Sequence, residues 1–368
     1  MVNSYKIRVA EPDIQEEDAL AMYNAAKEGR LSSGPYVEKF EKEFSNYIGS
    51  KYAIAVNSGT AALHLALESL EIKNGDEVIT TPFTFAATSN VIVLQNAKPI
   101  FVDIDMQTYN LDPNLVRKAI TSKTKAIMPI HYAGQCSDMD ELNEIADKNN
   151  ILVIEDAAPA IGATYKGRKA GTLGKISGFS FFPDKNITTG EGGMITTDDY
   201  ELSEKCKIMR KNGADTRYHN IYFGWNFKMP DPNAALGISQ LKRIEQIIEQ
   251  KNRIASYYSS NLDKFDGITP PFVKEHNRCT FMLYSILTKD NKHRESIVHG
   301  LQKNGIETRI NFPPMHLQPI YAKTFGFTKG MFPVSEEIAE RILGLPIYIR
   351  MTKDQQNEVI ETISQYCN

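Results

Sequence analysis

Apolar and polar positions alternate in blocks along the first two-thirds of the chain. Short runs rich in valine, isoleucine and alanine recur between longer helix-like stretches, at residues 51–56, 76–81, 99–105, 124–132 and 151–158. Nearly continuous apolar runs are typical of strands that are buried on both faces. Strands that alternate with helices predict an α/β fold, with a mostly parallel central sheet sandwiched by helices.

The pattern changes from residue 232 onward. Apolar positions there recur every three or four residues, at Leu236, Ile238, Leu241, Ile244, Ile248 and Ile254. This spacing predicts one long amphipathic helix over 232–262. A strand-like run at 280–287 and helical stretches at 293–305 and 353–366 follow it.

The length of the chain favours two domains. With 368 residues, of which 42% are hydrophobic, the chain is long enough to bury an ordinary soluble core in each. We therefore expect a large domain over 1–248 and a smaller C-terminal α/β domain over 249–368, with the long helix as the link between them.

Composition argues against several classes of partner. The formal net charge of −3 provides no global basic field for nucleic acid, and no apolar run approaches membrane-spanning length. The start of the chain lacks the apolar core of a secretory signal, and the four cysteines are far apart and form no CxxC pair. We therefore expect no nucleic-acid, membrane or metal partner, and a location in the reducing cytoplasm.

A small-residue turn follows the first apolar run. The run at 51–56 leads into Ser58, Gly59 and Thr60, and a helical stretch begins at once. Such a turn directs backbone amides at one point, which favours an anion such as phosphate. The alternative is an ordinary helix cap, because serine and threonine cap helices routinely; taken alone, the pattern favours the cap.

An aspartate follows the apolar run at 151–155. Asp156 lies where that predicted strand ends, and in open α/β sheets the ligand crevice lies outside the carboxyl ends of the strands. A carboxylate there can pair with a cation or with a protonated ring nitrogen. The alternative is that Asp156 caps the segment that follows, and the residues alone do not decide between the two.

A lysine lies between two segments that look buried. Lys185 follows the aromatic run FSFF and precedes a turn that contains Gly190, Gly192 and Gly193. Partial desolvation favours the neutral amine, which is a usable nucleophile. The alternative is a solvated loop lysine beside a hairpin turn. Together, however, a phosphate cradle, a strand-end aspartate and a partly buried amine are what pyridoxal phosphate requires.

Ordered motifs along the whole chain carry a family resemblance. They include EGRLSSGPYVEKFEKEF, NSGTAALHLAL, TTPFTFAATSN, MPIHYAGQCSDMDEL, VIEDAAPAIGA, FSFFPDKNITTGEGGMITT, FGWNFKMPDPNAALGISQL and PPMHLQPIY. In these motifs the chain resembles the DegT-type sugar aminotransferases, which are fold-type-I pyridoxal-phosphate enzymes. The resemblance implies a fold-type-I architecture with a large cofactor-binding domain.

The resemblance also implies roles for the cofactor residues. Lys185 is expected to hold pyridoxal phosphate covalently, with pyridoxamine phosphate as the intermediate form, and Asp156 to face the pyridine nitrogen. Phe85 is expected to stack on the cofactor ring. Four residues are expected at the phosphate: Ser58, Gly59 and Thr60 of the small-residue turn, and Ser180 of the aromatic run. Asn226 corresponds to a residue that reaches the phosphate of the neighbouring subunit, which implies a homodimer with shared active sites.

Two positions depart from the family pattern. Pro159 stands where relatives commonly have Gln or His, so the hydrogen bond to the phenolic oxygen of the cofactor is missing a donor. Lys228 stands where an arginine is usual, and a lysine lacks the planar two-pronged geometry of a guanidinium. Lys185 itself argues against the dehydratase relatives, in which a histidine replaces the lysine.

Substrate residues follow from the resemblance less directly. Gly34, Arg309 and His316 are expected near the nucleotide-sugar substrate, and Arg309 is suited to a diphosphate. Simpler interpretations are a turn at Gly34 and a solvated arginine at Arg309. His131, which follows the run at 124–130, is expected to be structural.

The expected activity is transfer of an amino group from L-glutamate to a nucleotide-linked keto-sugar. The segment TTGEGG resembles enzymes that act on 4-keto sugars, and the overall pattern resembles perosamine synthases, which use GDP-4-keto-6-deoxymannose. Alternatives are another dTDP- or UDP-linked 3-keto or 4-keto sugar, or a carbocyclic ketone. A non-catalytic regulator on the same fold is disfavoured, because Lys185, Asp156 and the phosphate elements are all present.

Overall fold

A computed structural model describes residues 5–367 of the chain. The strands within this range are β1 (Tyr52–Val56), β2 (Glu77–Thr80), β3 (Lys98–Phe101), β4 (Thr124–Ile127), β5 (Leu152–Asp156), β6 (Thr164–Tyr165), β7 (Arg168–Lys169), β8 (Ile176–Ser180), β9 (Gly193–Thr197), β10 (Ala214–Thr216), β11 (His219–Asn220), β12 (Ile268–Thr269), β13 (Asn277–Arg278), β14 (Tyr284–Thr288) and β15 (Ile342–Leu345). The α-helices are α1 (Glu16–Lys27), α2 (Pro35–Ile48), α3 (Gly59–Ser69), α4 (Ala86–Leu94), α5 (Pro113–Ala119), α6 (Met139–Asn149), α7 (Tyr200–Met209), α8 (Asp231–Leu241), α9 (Ile244–Leu262), α10 (Asn291–Lys303), α11 (Pro319–Phe325), α12 (Pro333–Arg341) and α13 (Lys353–Ser364). No helix in this range is long and apolar enough to cross a membrane.

The largest sheet has the strand order β1-β9-β8-β5-β4-β2-β3 within the described residues. β2, β3, β4, β5 and β8 pair in parallel, whereas β9 is antiparallel to both β1 and β8. β1 therefore points the same way as the parallel strands. The prediction of a mostly parallel α/β sheet is confirmed, and each apolar run that predicted a strand overlaps one.

Alternate residues of the central strands pack into two apolar cores, one on each face of the sheet. Val153 and Met194 belong to the first core, which α2 and α6 help to cover, whereas Ile154 and Ile195 belong to the second, under α3 and α4. Because side chains of a strand alternate between the two faces, both faces must be apolar. This requirement explains the continuous apolar runs of the sequence.

The predicted long helix over 232–262 is wrong, because the chain forms two helices, α8 and α9. At Arg243 the backbone leaves the helical region, with φ −118° and ψ 13°. The Arg243 guanidinium forms ion pairs with Asp13 and Asp18 near the start of the chain. Both helices bury apolar side chains, and these positions continue at helical spacing from one helix to the next. The sequence pattern therefore does not reveal the break.

A smaller sheet, β12-β14-β15, lies beyond α9 in the chain. Its core includes Tyr258 of α9, Ile297 of α10 and Val359 of α13, and also Ile7, which bridges to Ile306. α9 serves both parts, since its Ile248 packs in the first core of the large sheet.

The predicted domain boundary after residue 248 therefore falls inside α9 and stays a prediction. Residues 1–4 and 368, which the predicted domains include at their ends, lie outside the described residues.

Candidate active site

The carboxyl ends of three strands meet at one edge of the large sheet. β1, β8 and β5 end there, and a cavity of about 620 Å³ opens above them. The predicted residues that line this cavity are Ser58, Gly59, Thr60, Phe85, Asp156, Ser180, Lys185 and Arg309. Residues from five separate parts of the sequence thus share one space, as expected for the ligand crevice of an open α/β sheet.

The start of α3 forms one wall of the cavity. Ser58 caps the helix, and its side chain accepts a hydrogen bond from the Ala61 amide at 3.1 Å. A Cβ atom at Gly59 would lie only 2.7 Å from the Cβ of Ser180, so the absence of a side chain allows α3 to approach the end of β8. The first amides of a helix have no partner within it, and with the Ser180 hydroxyl they form a cradle suited to phosphate.

Asp156 lies at the base of the cavity and is 2% exposed. Thr88 Oγ1 donates to its Oδ2 at 2.7 Å, and the Ala158 amide donates to Oδ1 at 3.2 Å. Burial raises the pKa of Asp156 above its ordinary value, although these hydrogen bonds and the charge of Lys185 oppose the rise. A protonated pyridine nitrogen would compensate the buried carboxylate charge, so this site fits the predicted partner.

Lys185 projects from the loop that follows β8. Its side chain is 16% exposed, and its Nζ lies 3.0 Å from Asp184 Oδ1. Arg309 Nη1 donates to the other carboxylate oxygen, Asp184 Oδ2, at 3.4 Å. The prediction that Lys185 is partly buried is confirmed, and Asp184 links this amine to the cavity arginine.

Phe85 and Pro159 both line the cavity. Phe85 is 62% exposed and directly precedes α4, and the Phe312 ring centroid lies 6.3 Å from its own. An exposed aromatic ring beside a cavity is available to stack on a planar ligand. The Pro159 side chain has no hydrogen-bond donor. The replacement of the usual Gln or His by proline therefore lies in the cavity itself.

Asn226 and Gly34 both lie outside the cavity of their own chain. Asn226 is exposed, and its carbonyl accepts from the Asn57 side chain at 3.3 Å. Gly34 precedes α2, and its amide donates to Asp231 Oδ1 at 2.9 Å. A Cβ atom at Gly34 would lie 2.7 Å from Asp231 Oδ2, so the close contact with this carboxylate explains the glycine without a ligand.

His316 is fully buried and does not line the cavity. Its Nε2 lies 2.9 Å from Glu336 Oε1, and its ring packs against Phe332 with the centroids 4.7 Å apart. With no exposed surface, His316 cannot touch a substrate in this structure. We therefore replace its expected substrate role with a structural one, because the residues beyond 318 fold back over it.

His131 is also fully buried, consistent with the structural role expected for it. Its Nδ1 accepts from the Ser137 amide at 3.2 Å, and its Nε2 lies 2.9 Å from Glu155 Oε2. Burial alone would raise the pKa of Glu155, but hydrogen bonds from His131, Gly171 and Ser177 bring it below its ordinary value. This buried carboxylate fixes the segment before β8.

Sequence reasoning missed two residues that contact the central pair. Thr88 holds Asp156, and Thr84 Oγ1 in turn lies 2.8 Å from Thr88 Oγ1. Asp184 contacts Lys185. Asp184 had a visible signal, since it directly precedes the lysine, whereas the two threonines are distant in sequence from Asp156 and had none.

Comparison with known proteins identifies the family of this chain. The model of the DegT/DnrJ/EryC1/StrS aminotransferase family matches residues 12–364. An uncharacterised protein of Methanocaldococcus jannaschii, MJ1066, is 46% identical, with 96% of both chains covered. GDP-perosamine synthase of Caulobacter vibrioides is 40% identical, with 91% of both chains covered.

A solved structure connects this fold to the cofactor. Spr1654 of Streptococcus pneumoniae, assigned as a sugar aminotransferase and solved in its PLP form, superposes with a TM-score of 0.94. It is 29% identical, and 99% of each chain is covered. The α/β architecture, the cavity and the matched family agree on a fold-type-I enzyme. The chain belongs to the DegT/DnrJ/EryC1/StrS aminotransferase family and is a pyridoxal-phosphate-dependent aminotransferase.

Proposed function

We propose that this protein moves an amino group from L-glutamate to the 4-keto carbon of a nucleotide-linked 6-deoxy sugar. The preferred substrate is GDP-4-keto-6-deoxymannose, and the product is GDP-perosamine. In the net exchange glutamate becomes 2-oxoglutarate, and the sugar carbonyl becomes an amine. The observation that carries the aminotransferase chemistry is the single cavity shared by the α3 start, Asp156 and Lys185. The 40% identity to a GDP-perosamine synthase supports this choice of sugar.

Pyridoxal phosphate, when bound, supplies a carbonyl that takes up the donor amine and a ring that accepts electrons. In the proposed arrangement the start of α3 and Ser180 would hold its phosphate. Asp156, which Thr88 keeps oriented through the 2.7 Å hydrogen bond, would stabilise a proton on the ring nitrogen. Phe85 would be available to stack on the ring.

Lys185 is the residue that moves protons. In the first half of the exchange its Nζ would take a proton from the glutamate carbon that carries the amine, as a general base. In the second half it would deliver a proton to the sugar carbon that had carried the ketone, as a general acid. Arg309 is the only arginine among the described residues that line the cavity. It is suited to an anionic part of the substrate, because a guanidinium can bind two phosphate or carboxylate oxygens at once.

We further propose a homodimer with shared active sites. Asn226 is exposed and lies outside the cavity of its own chain, which leaves its side chain free to reach the phosphate cradle of a partner. The short β10–β11 hairpin precedes it and carries the exposed aromatic residue Tyr218, with the exposed Phe223 just beyond the hairpin. Exposed apolar surface of this kind is typical of a contact with another chain.

A two-stage assay tests the activity and the substrate separately. The cofactor-loaded protein is first mixed with L-glutamate alone, which should abolish the absorbance band of the bound cofactor and release 2-oxoglutarate. Failure of this first stage would refute the proposed amino donor. GDP-, dTDP- and UDP-linked 4-keto and 3-keto sugars and an inosose are then compared by kcat/KM, and NMR of the product identifies the aminated carbon. A preference for any other acceptor would refute the GDP-sugar assignment and leave the aminotransferase assignment intact.

A further inference from the structure

A second lysine is buried behind the loop that carries Lys185. Lys251 lies on α9 and is 5% exposed. Its Nζ donates to Asn186 Oδ1 at 2.9 Å and lies 3.5 Å from the Met282 carbonyl oxygen. Lys251 is not among the described residues that line the cavity. Contact with the cofactor or the substrate therefore does not explain why a lysine is buried at this position.

The contacts of Lys251 lead directly to Lys185. Asn186 is the next residue in the chain, and its Nδ2 donates to the Thr280 carbonyl at 3.2 Å. The Asn186 side chain is therefore held at both ends, by α9 and by the segment before β14. A loop residue fixed in this way restricts the backbone on which the Lys185 side chain moves.

The charge of Lys251 also faces the same loop. The charged and titratable groups that influence it are Asp184 and Lys185 of the loop, and Cys279 of the segment before β14. Burial lowers the pKa of Lys251 to about 8, and the positive charge of Lys185 adds to this lowering while Asp184 opposes it. A positive charge behind a loop favours the uncharged form of a nearby nitrogen.

We propose that Lys251 is a positioning residue for Lys185, holding the loop through Asn186 and favouring the neutral amine by placing a positive charge behind it. A neighbouring cation is one of the established ways to activate a lysine nucleophile. The inference rests on the role proposed above for Lys185. It adds a residue that lies outside the cavity and acts through the loop.

The test is a pH titration of the resting, cofactor-loaded enzyme, followed by absorbance. Lys251→Gln removes the charge but keeps a donor for Asn186, and Lys251→Arg keeps the charge. We expect Gln to raise the midpoint of titration of the Lys185 nitrogen by roughly one pH unit, because the positive charge behind the loop is lost. Arg should leave the midpoint near the wild-type value. An unchanged midpoint in the Gln variant, or an equal rise in both variants, would overturn the proposal.

Controls separate this outcome from loss of stability and from an error in the site. Lys169 is a suitable match, because its Nζ lies over the Tyr47 ring at 3.6 Å from the centroid and outside the cavity; Lys169→Gln should leave the midpoint unchanged. Borohydride reduction and peptide mapping of the wild type establish independently whether the cofactor is attached to Lys185. If Lys251→Gln does not fold, Asn186→Asp places a negative charge against Lys251 and must also raise the midpoint; no rise there would overturn the proposal.

Discussion

At the scale of single residues, the site depends on charges that are buried and need partners. Asp156 is held by two hydrogen bonds, and its pKa is raised by burial, so the carboxylate gains from a cation placed against it. Lys185 lies beside Asp184, which in turn contacts Arg309. Because each of these side chains depends on its partners, a single substitution at one of them should change the activity measurably.

We expect Lys185→Ala to lower turnover by at least about 1,000-fold, because positioned proton transfer and covalent attachment are both lost. The absorbance band of the attached cofactor should also disappear. Circular dichroism should remain that of the wild type, since Lys185 is in a loop. Lys169→Ala serves as the matched lysine control. Turnover near the wild-type rate in the Lys185 variant would show that another group carries the proton.

Asp156→Asn should lower kcat by about 100-fold or more, while cofactor binding partly survives. The amide is similar in size but cannot stabilise a proton on the ring nitrogen, so the ring becomes a weaker electron acceptor. Measuring kcat and the cofactor dissociation constant together distinguishes this from simple loss of binding. Thr88→Val, which removes only one hydrogen bond to Asp156, should have a smaller effect in the same direction. A fully active Asp156→Asn enzyme would show that this side chain does not face the ring.

At the scale of secondary-structure elements, glycine and buried carboxylates determine how close the elements approach. Gly59 brings the start of α3 against the end of β8. Glu155 of β5 holds the segment that precedes β8 by accepting from the amides of Gly171, Leu173 and Gly174. These contacts fix the relative positions of the two strand ends that carry Asp156 and Ser180.

Glu155→Gln should lower the free energy of unfolding at pH 7 by about 3 kcal/mol, because a charged acceptor with several donors is lost from a buried site. The pKa of Glu155 is lowered in the folded protein from its ordinary 4.5. As the pH falls below that value, the unfolded chain takes up the proton first, and the stabilisation contributed by Glu155 decreases. The difference between variant and wild type should therefore shrink toward acid pH.

Urea unfolding of both proteins at pH 7, 4 and 3 measures this trend. Glu144→Gln is the control, because Glu144 pairs with Lys148 on the exposed face of α6 and should change stability little. A difference between Glu155→Gln and wild type that stayed constant or grew on acidification would mean that Glu155 is not ionised in the folded protein.

At the scale of the whole molecule, α9 connects the two parts of the fold. Its first turns pack on the core of the large sheet and its later turns on the core of the smaller one, and Lys251 lies between them. The cavity also receives residues from both parts, since Arg309 and Phe312 line it together with Asp156 and Lys185. The proposed dimer would add a third contributor, Asn226 of the other chain.

Mixing two inactive variants tests the shared site. Lys185→Ala lacks the reactive amine, and Asn226→Asp is expected to be inactive because its carboxylate would repel the phosphate of the partner's site. In a mixed dimer one site carries both changes, and the other has an intact Lys185 and an intact Asn226. Activity should return to at most about half of the wild-type value per dimer.

The experiment requires that subunits exchange, which differently tagged chains demonstrate by co-purification. Two Lys185→Ala chains mixed under the same conditions provide the background. The shared site is refuted if three results coincide: the subunits exchange, Asn226→Asp alone is inactive, and the mixture regains no activity. Asn226 would then serve its own chain.

The local pattern of the sequence was enough to predict β1 to β5 and β14, the alternation of the first strands with helices, and the mostly parallel sheet. Apolar runs and helical spacing reflect burial of each element on its own, and this information is local. The small-residue turn before α3, the aspartate that ends β5 and the lysine after β8 were identifiable for the same reason, because each lies at a boundary between elements. Their meeting in one cavity follows from parallel strands ending at one edge.

Tertiary structure alone decided the features that depend on residues far apart in the chain. The break between α8 and α9 places Arg243 against Asp13 and Asp18, and helical spacing continues through it unnoticed. Glu336, 20 residues further along the chain, and the ring of Phe332 enclose His316. Lys251 meets Asn186 only because α9 packs behind the Lys185 loop. Side-chain partners of this kind are set by how whole elements pack, and no local pattern of apolar and polar residues encodes them.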